Sequence, residues 1–105
     1  MNYRNIDSAA FEAGMNSEGA VIIDVRTPGE WYEGVIPGAL LIKVMDPSFA
    51  DRVNEMDREK SYYVYCRSGN RSGMVASFMA QRGFTQVYNL QDGIMSWTGP
   101  IGQPA

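Results

Sequence analysis

Histidine is missing from this sequence altogether, and cysteine occurs once, at Cys66. Without an imidazole there is no Ser/His/Asp triad, no Cys-His dyad, no histidine general base and no histidine-ligated zinc. A single thiol rules out an intrachain disulfide, a CxxC redox pair and an iron–sulfur cluster held by several cysteines. Positive charge is also in short supply: nine Lys and Arg stand against twelve Asp and Glu, a net charge of -3. That balance argues against a general nucleic-acid or membrane-surface binder. No apolar run approaches a membrane span, and Met1 to Asp7 has none of the character of a signal peptide. The expectation is a cytoplasmic protein in a reducing compartment, with no metal or organic cofactor.

What is present reads as one domain over residues 1–105, large enough for a single core and too small for two. Tyr3 to Ile6 predicts a short strand, followed by a helix capped at Asp7 or Ser8 and running to about Met15. Ala20 to Val25 is continuously apolar except for Asp24, the pattern of a strand covered on both faces of a parallel sheet. The Asp24 carboxylate needs a partner there, and Arg26 is the nearest candidate, giving a structural ion pair at the sheet end. Thr27-Pro28-Gly29-Glu30 has the form of a capping box, opening a short helix through Trp31, Tyr32 and Glu33. Ala39 to Val44 predicts another strand. Asp46-Pro47 predicts an N-cap and first helical position, with a helix from Pro47 to about Met56.

Tyr62 to Tyr65 predicts a buried strand and Gly73 to Arg82 a helix that starts near Ser72. Gln86 to Asn89 is a last strand, and a short helix holds Ile94, Met95 and Trp97, itself expected with Trp31 to wall the core or a pocket. Gly99 to Ala105 is a Pro/Gly-rich tail. Strands alternating with helices imply an α/β sandwich of three layers, with a mostly parallel central sheet of about five strands.

Cys66-Arg67-Ser68-Gly69-Asn70-Arg71-Ser72 joins the Tyr62 to Tyr65 strand to the following helix. Small and turn-tolerant residues at Ser68, Gly69 and Asn70 let successive amides point at one spot, an anion cradle. The helix N-terminus adds unpaired N–H groups, and together they favour a thiolate at Cys66. Ligands collect beyond the carboxyl ends of strands in such sheets, which is where this loop falls.

Asp24-Val25-Arg26, Gly34-Val35-Ile36-Pro37-Gly38-Ala39, the loop Cys66 to Ser72 and Asn89 to Trp97 occur in that order over nearly the whole chain. In this the sequence resembles a single-domain rhodanese, a thiosulfate sulfurtransferase. The resemblance implies that Cys66 accepts sulfane sulfur as a persulfide from a small anionic donor such as thiosulfate. It then passes the sulfur to cyanide, a thiol or a sulfur-relay protein. It further implies that the backbone of Arg67 to Ser72 cradles the sulfur and that Arg71 closes the loop. Two positions depart from the family: Val35 stands where histidine is common, and Asp92 precedes Gly93 where a Gly-Gly pair is common.

Arg67 and Arg71 are candidates for attracting a dianionic donor, Arg71 equally for tying the loop to the fold and Arg67 more for a place at the rim. Two other readings stand beside the enzyme: a persulfide carrier with little turnover, and a Cys-dependent phosphatase or arsenate reductase. Those last families have five residues between Cys and Arg, whereas Cys66 and Arg71 enclose four, a ring sized for a sulfur atom rather than a tetrahedral oxyanion.

Overall fold

A computed structural model describes residues 2–104; Met1 and the last residue of the expected tail, Ala105, lie outside the described residues. Five strands form one sheet: β1 (Arg4–Ile6), β2 (Ala20–Asp24), β3 (Leu40–Leu41), β4 (Ser61–Tyr65) and β5 (Gln86–Leu90). Their order is β1-β5-β4-β2-β3, and every pairing is parallel. The helices are α1 (Ser8–Met15), α2 (Pro28–Trp31), α3 (Phe49–Asn54) and α4 (Asn70–Gln81), with a 3₁₀ turn at Ile94–Ser96. None is long and apolar enough to cross a membrane among the described residues.

Alternation along the central strands builds a core on each face of the sheet. Tyr62, Val64 and Cys66 of β4 and its continuation pack with Ile23 and Val25, under Phe49 and Val53 of α3 and Val75, Ala76 and Met79 of α4. Tyr63 and Tyr65 point the other way and pack with Phe11 and Met15 of α1, Ile22, Ile36 and Leu90. Phe11 is met edge-on by Tyr63, Tyr65 and Trp97, with ring centroids 5.4, 6.3 and 5.7 Å away, a favoured aromatic geometry. Trp97 thus fills the role of a core wall, while Trp31 is half-buried.

Several boundaries differ from the sequence expectations. Only Leu40 and Leu41 of the Ala39 to Val44 stretch are regular strand, at the sheet edge, although Ile42 N and Val44 N still donate to Asp24 O and Val25 O at 3.0 and 3.1 Å. The helix expected from Pro47 begins at Phe49: the Asp46 carboxylate accepts from Ser48 N and Oγ, each at 2.8 Å, closing a turn instead of capping a helix. By contrast α4 starts at Asn70, earlier than Ser72, with Gly69 at its N-cap in left-handed conformation (φ +100°). Ser72 is therefore inside the first turn and caps nothing. The tail is anchored, since Val35 and Gly102 exchange backbone hydrogen bonds of 2.9 and 2.8 Å.

Asp7 caps α1 by accepting from Ala10 N at 2.9 Å, and the Thr27–Glu30 capping box is complete. Asp24 and Arg26 form the expected pair, both almost fully buried, with Nη2 to Oδ2 at 2.8 Å. Arg26 N also donates to Asp24 Oδ1 at 2.9 Å, and Arg26 Nη2 donates to the Gly34 carbonyl at 2.7 Å. Burial alone would lower the Arg26 pKa, but the Asp24 hydrogen bonds and charge outweigh it and leave the value raised. The pair thus ties the end of β2 to the chain that enters the Gly34 to Ala39 segment.

Removing one member strands the other charge in the interior. Asp24→Ala is expected to cost about 3–5 kcal/mol, read as a lower urea midpoint with an unchanged slope.

Candidate active site

The chain leaves β4 at Tyr65 and immediately bends, so that Cys66 lies under the loop while Arg67, Ser68 and Asn70 face solvent. Gly69 N donates to Cys66 Sγ at 3.1 Å, and Ser72 Oγ lies 3.3 Å from the sulfur. Burial favours the neutral thiol, yet the Ser72 hydroxyl and the amides of Ser72, Gly69 and Ser68 together overcome it and hold the Cys66 pKa below the ordinary thiol value. Cys66 is only 1% exposed, so the sulfur is at the floor of the loop and not at an open mouth. It touches the hydrocarbon core on one side and converging N–H groups on the other.

Two close approaches impose the bend. A Cβ on Gly69 would stand 2.1 Å from the Gln91 carbonyl oxygen, and one on Gly93 would stand 2.0 Å from the Arg67 carbonyl oxygen. Only glycine fits at either point. Beyond Gly93, Ile94 N donates to Cys66 O at 2.9 Å and Met95 N donates to Arg67 O at 3.2 Å. The segment after β5 therefore backs the loop as a rigid plate. Asp92, one of the two departures from the family pattern, is exposed at its edge, whereas Val35, the other, is buried in the Gly102 bridge.

Arg71 is tied down. Its Nη1 and Nη2 donate to Glu30 Oε1 and Oε2 at 2.9 and 3.0 Å, a two-pronged pair joining the first turn of α4 to α2. The Arg71 hydrogen bonds, offset in part by burial and helped by Thr27, hold the Glu30 carboxyl down at about 2. Arg67 is exposed and forms no ion pair among the described residues.

Residues that sequence reasoning passed over complete the surroundings. Asn89, buried on β5, donates from Nδ2 to Asn5 Oδ1 at 2.9 Å and to the Gly69 carbonyl at 3.2 Å, and Ser72 Oγ is 2.5 Å from its Oδ1. The visible signal was an amide in a strand otherwise covered by apolar neighbours. Glu30 was read only as a cap. A recess of about 440 Å³, lined by Asn5, Gly69, Asn70, Asn89 and Gln91 among others, opens beside the loop; Cys66 does not line it.

Because the Glu30 pKa is depressed in the folded chain, its pairing contributes fully above the ordinary carboxylate pKa of about 4.5 and is lost as the pH falls towards about 2. Glu30→Gln keeps the cap and loses the charge. Acid unfolding curves of the two proteins are expected to differ above pH 4.5 and to converge between there and about 2. Gly93→Ala is expected to displace the Arg67 carbonyl and to slow alkylation of Cys66 at neutral pH by about tenfold or more, one pKa unit of lost thiolate stabilisation.

Residues 7–100 match the family model described as a rhodanese-like domain. The chain is 33% identical over 93 residues to a sulfurtransferase of Allochromatium vinosum, covering 88% of this chain and 85% of the relative. It is 32% identical to GlpE, a thiosulfate sulfurtransferase of Pseudomonas syringae pv. syringae, covering 79% and 76%. It is 35% identical to YrkF, a putative sulfur carrier protein of Bacillus subtilis, covering 90% of this chain and half of that one. Among solved structures, a rhodanese-like domain protein from Staphylococcus aureus superposes with a TM-score of 0.82 at 28% identity, covering 97% and 99%. With the all-parallel five-stranded sheet and the loop between β4 and α4, these likenesses identify the chain as a member of the rhodanese-like domain family.

Proposed function

We propose that this protein moves sulfane sulfur through a persulfide on Cys66, taking it from thiosulfate or a related persulfide or polysulfide and giving it to cyanide or a thiol. The observation that carries the reading is the 3.1 Å donation from Gly69 N to Cys66 Sγ, with the Ser72 hydroxyl 3.3 Å from the same atom. Family membership and relatives named as sulfurtransferases support it.

The Cys66 thiolate attacks the outer sulfur of thiosulfate, the S–S bond breaks, and sulfite leaves with the electron pair. The new S–S bond puts a negative terminal sulfur inside the ring of amides, which stabilises it as an oxyanion hole stabilises oxygen. The acceptor, cyanide or a thiolate, then attacks that terminal sulfur and returns Cys66 as thiolate. Since Cys66 is nearly covered, entry of the donor requires the loop over the sulfur to shift. Arg71, engaged by Glu30, holds the loop in shape, and Arg67 supplies the free positive charge at the rim. Asp24 and Arg26 support the neighbouring strand end without touching the sulfur.

A second reading, a persulfide carrier serving a sulfur-relay partner, is favoured by the likeness to a putative sulfur carrier protein and by the coverage of Cys66. Mass measurement of the intact protein after incubation with thiosulfate tests both. One added sulfur, removed by cyanide and absent from Cys66→Ser, is the expected result; no added sulfur together with hydrolysis of an aryl phosphate would sink it in favour of a phosphatase. Sustained thiocyanate production separates an enzyme from a carrier. The rate of sulfur loading is expected to fall as the pH drops through the Cys66 pKa, with a midpoint below that of an ordinary thiol.

A further inference from the structure

The hydroxyl of Ser72 has one proton and two acceptors within reach. One is Cys66 Sγ at 3.3 Å and the other is Asn89 Oδ1 at 2.5 Å. The shorter contact is at the strong end of hydroxyl hydrogen bonding. Asn89 has no freedom to turn its oxygen away, because its Nδ2 donates to Asn5 Oδ1 and to the Gly69 carbonyl. The flipped amide would set Oδ1 against the Gly69 carbonyl, which can only accept, and leave that bond unmade. Ser72 and Asn89 are both buried, so water does not settle the contest.

We propose that Asn89 is a positioning residue for Cys66: it competes with the sulfur for the proton of Ser72 Oγ and so sets how readily the thiol ionises. While the proton stays with Asn89, the Ser72 oxygen faces the sulfur as an acceptor and suits S–H. When the thiol ionises, the hydroxyl must leave the amide to serve the thiolate, and the exchange costs part of what it gains. A thiolate stabilised less than fully keeps more of its nucleophilicity. Asn5, on β1, acts at the far end by fixing the amide.

No charged group takes part in this contest. Around the loop the charges are Arg71 with Glu30, Asp24 with Arg26 at the end of β2, and the exposed Arg67 and Asp92. Tyr65, the titratable group next to Cys66 on β4, points to the opposite face, where its hydroxyl accepts from Ile36 N. A substitution at position 89 leaves every one of these in place. The inference deepens the persulfide reading but does not share its test, since ionisation of Cys66 is followed with no sulfur donor present.

The experiment is a titration of Cys66 in the full chain by ultraviolet thiolate absorbance, with circular dichroism to confirm folding. Asn89→Leu, close in size and unable to accept, is expected to lower the midpoint by about half a pH unit, or about threefold more thiolate on the acid side. In a Ser72→Ala background the same substitution is expected to move nothing. An unchanged or raised midpoint in Asn89→Leu overturns the proposal, as does an equal shift without Ser72. If the leucine variant does not fold, Ser72→Ala alone decides. A hydroxyl devoted to the thiolate raises the midpoint by about one unit or more when removed, which overturns the proposal; a shared one raises it by less than half that.

Discussion

The close contact of Gly69 and Gly93 with backbone of the opposite segment is the constraint on which the site depends. Carbonyl oxygens of Gln91 and Arg67 occupy the space where side chains would otherwise stand. Once two backbones meet at that distance, the chain between Cys66 and Ser72 has little choice but to curl inward. The Gly69 amide then points at the sulfur because the bend aims it there. The 3₁₀ turn beginning at Ile94 secures the result by donating to the carbonyls of Cys66 and Arg67.

Around that bend, long-range polar ties do what hydrophobic packing cannot. Packing brings β4, β5 and α4 together but does not specify which rotamer a hydroxyl adopts or where a guanidinium rests. Glu30 fixes Arg71 across two helices, and Asn89 joins β5 to α4 and to β1. Arg26 does the same where β2 ends, by donating to the Gly34 carbonyl. In each case a buried or half-buried polar group is satisfied by a partner from another element, the condition under which such groups are tolerated in an interior.

Local signals in the sequence were read well, and contacts between distant residues were not. The Thr27–Glu30 capping box, the Asp7 cap and the Asp24–Arg26 pair involve residues two or three apart, so spacing alone reveals them. The loop between β4 and α4 is legible because Ser68, Gly69 and Asn70 interrupt a strand-to-helix sequence. The start of α4 was misplaced because a glycine N-cap has no side chain to announce it, whereas Ser72 has the chemistry of a cap and lies just before an apolar helical pattern. Asp46-Pro47 was misread for a related reason: a carboxylate that bonds two residues on closes a turn as readily as it caps a helix. The links from Asn89 to Asn5 and from Arg71 to Glu30 span 84 and 41 positions, and no pattern within one element reports them.

The engagement of Arg71 by Glu30 has a consequence for which donors the protein admits. A guanidinium already matched by a carboxylate contributes almost no net field, so a doubly charged ion approaching the loop feels chiefly Arg67, against a chain whose overall charge is -3. Long-range attraction towards dianions is therefore weak, and capture rates should change little between dilute and concentrated salt. Under the sulfur-transfer reading proposed above, an uncharged donor, or a persulfide presented by another protein, would lose nothing by comparison.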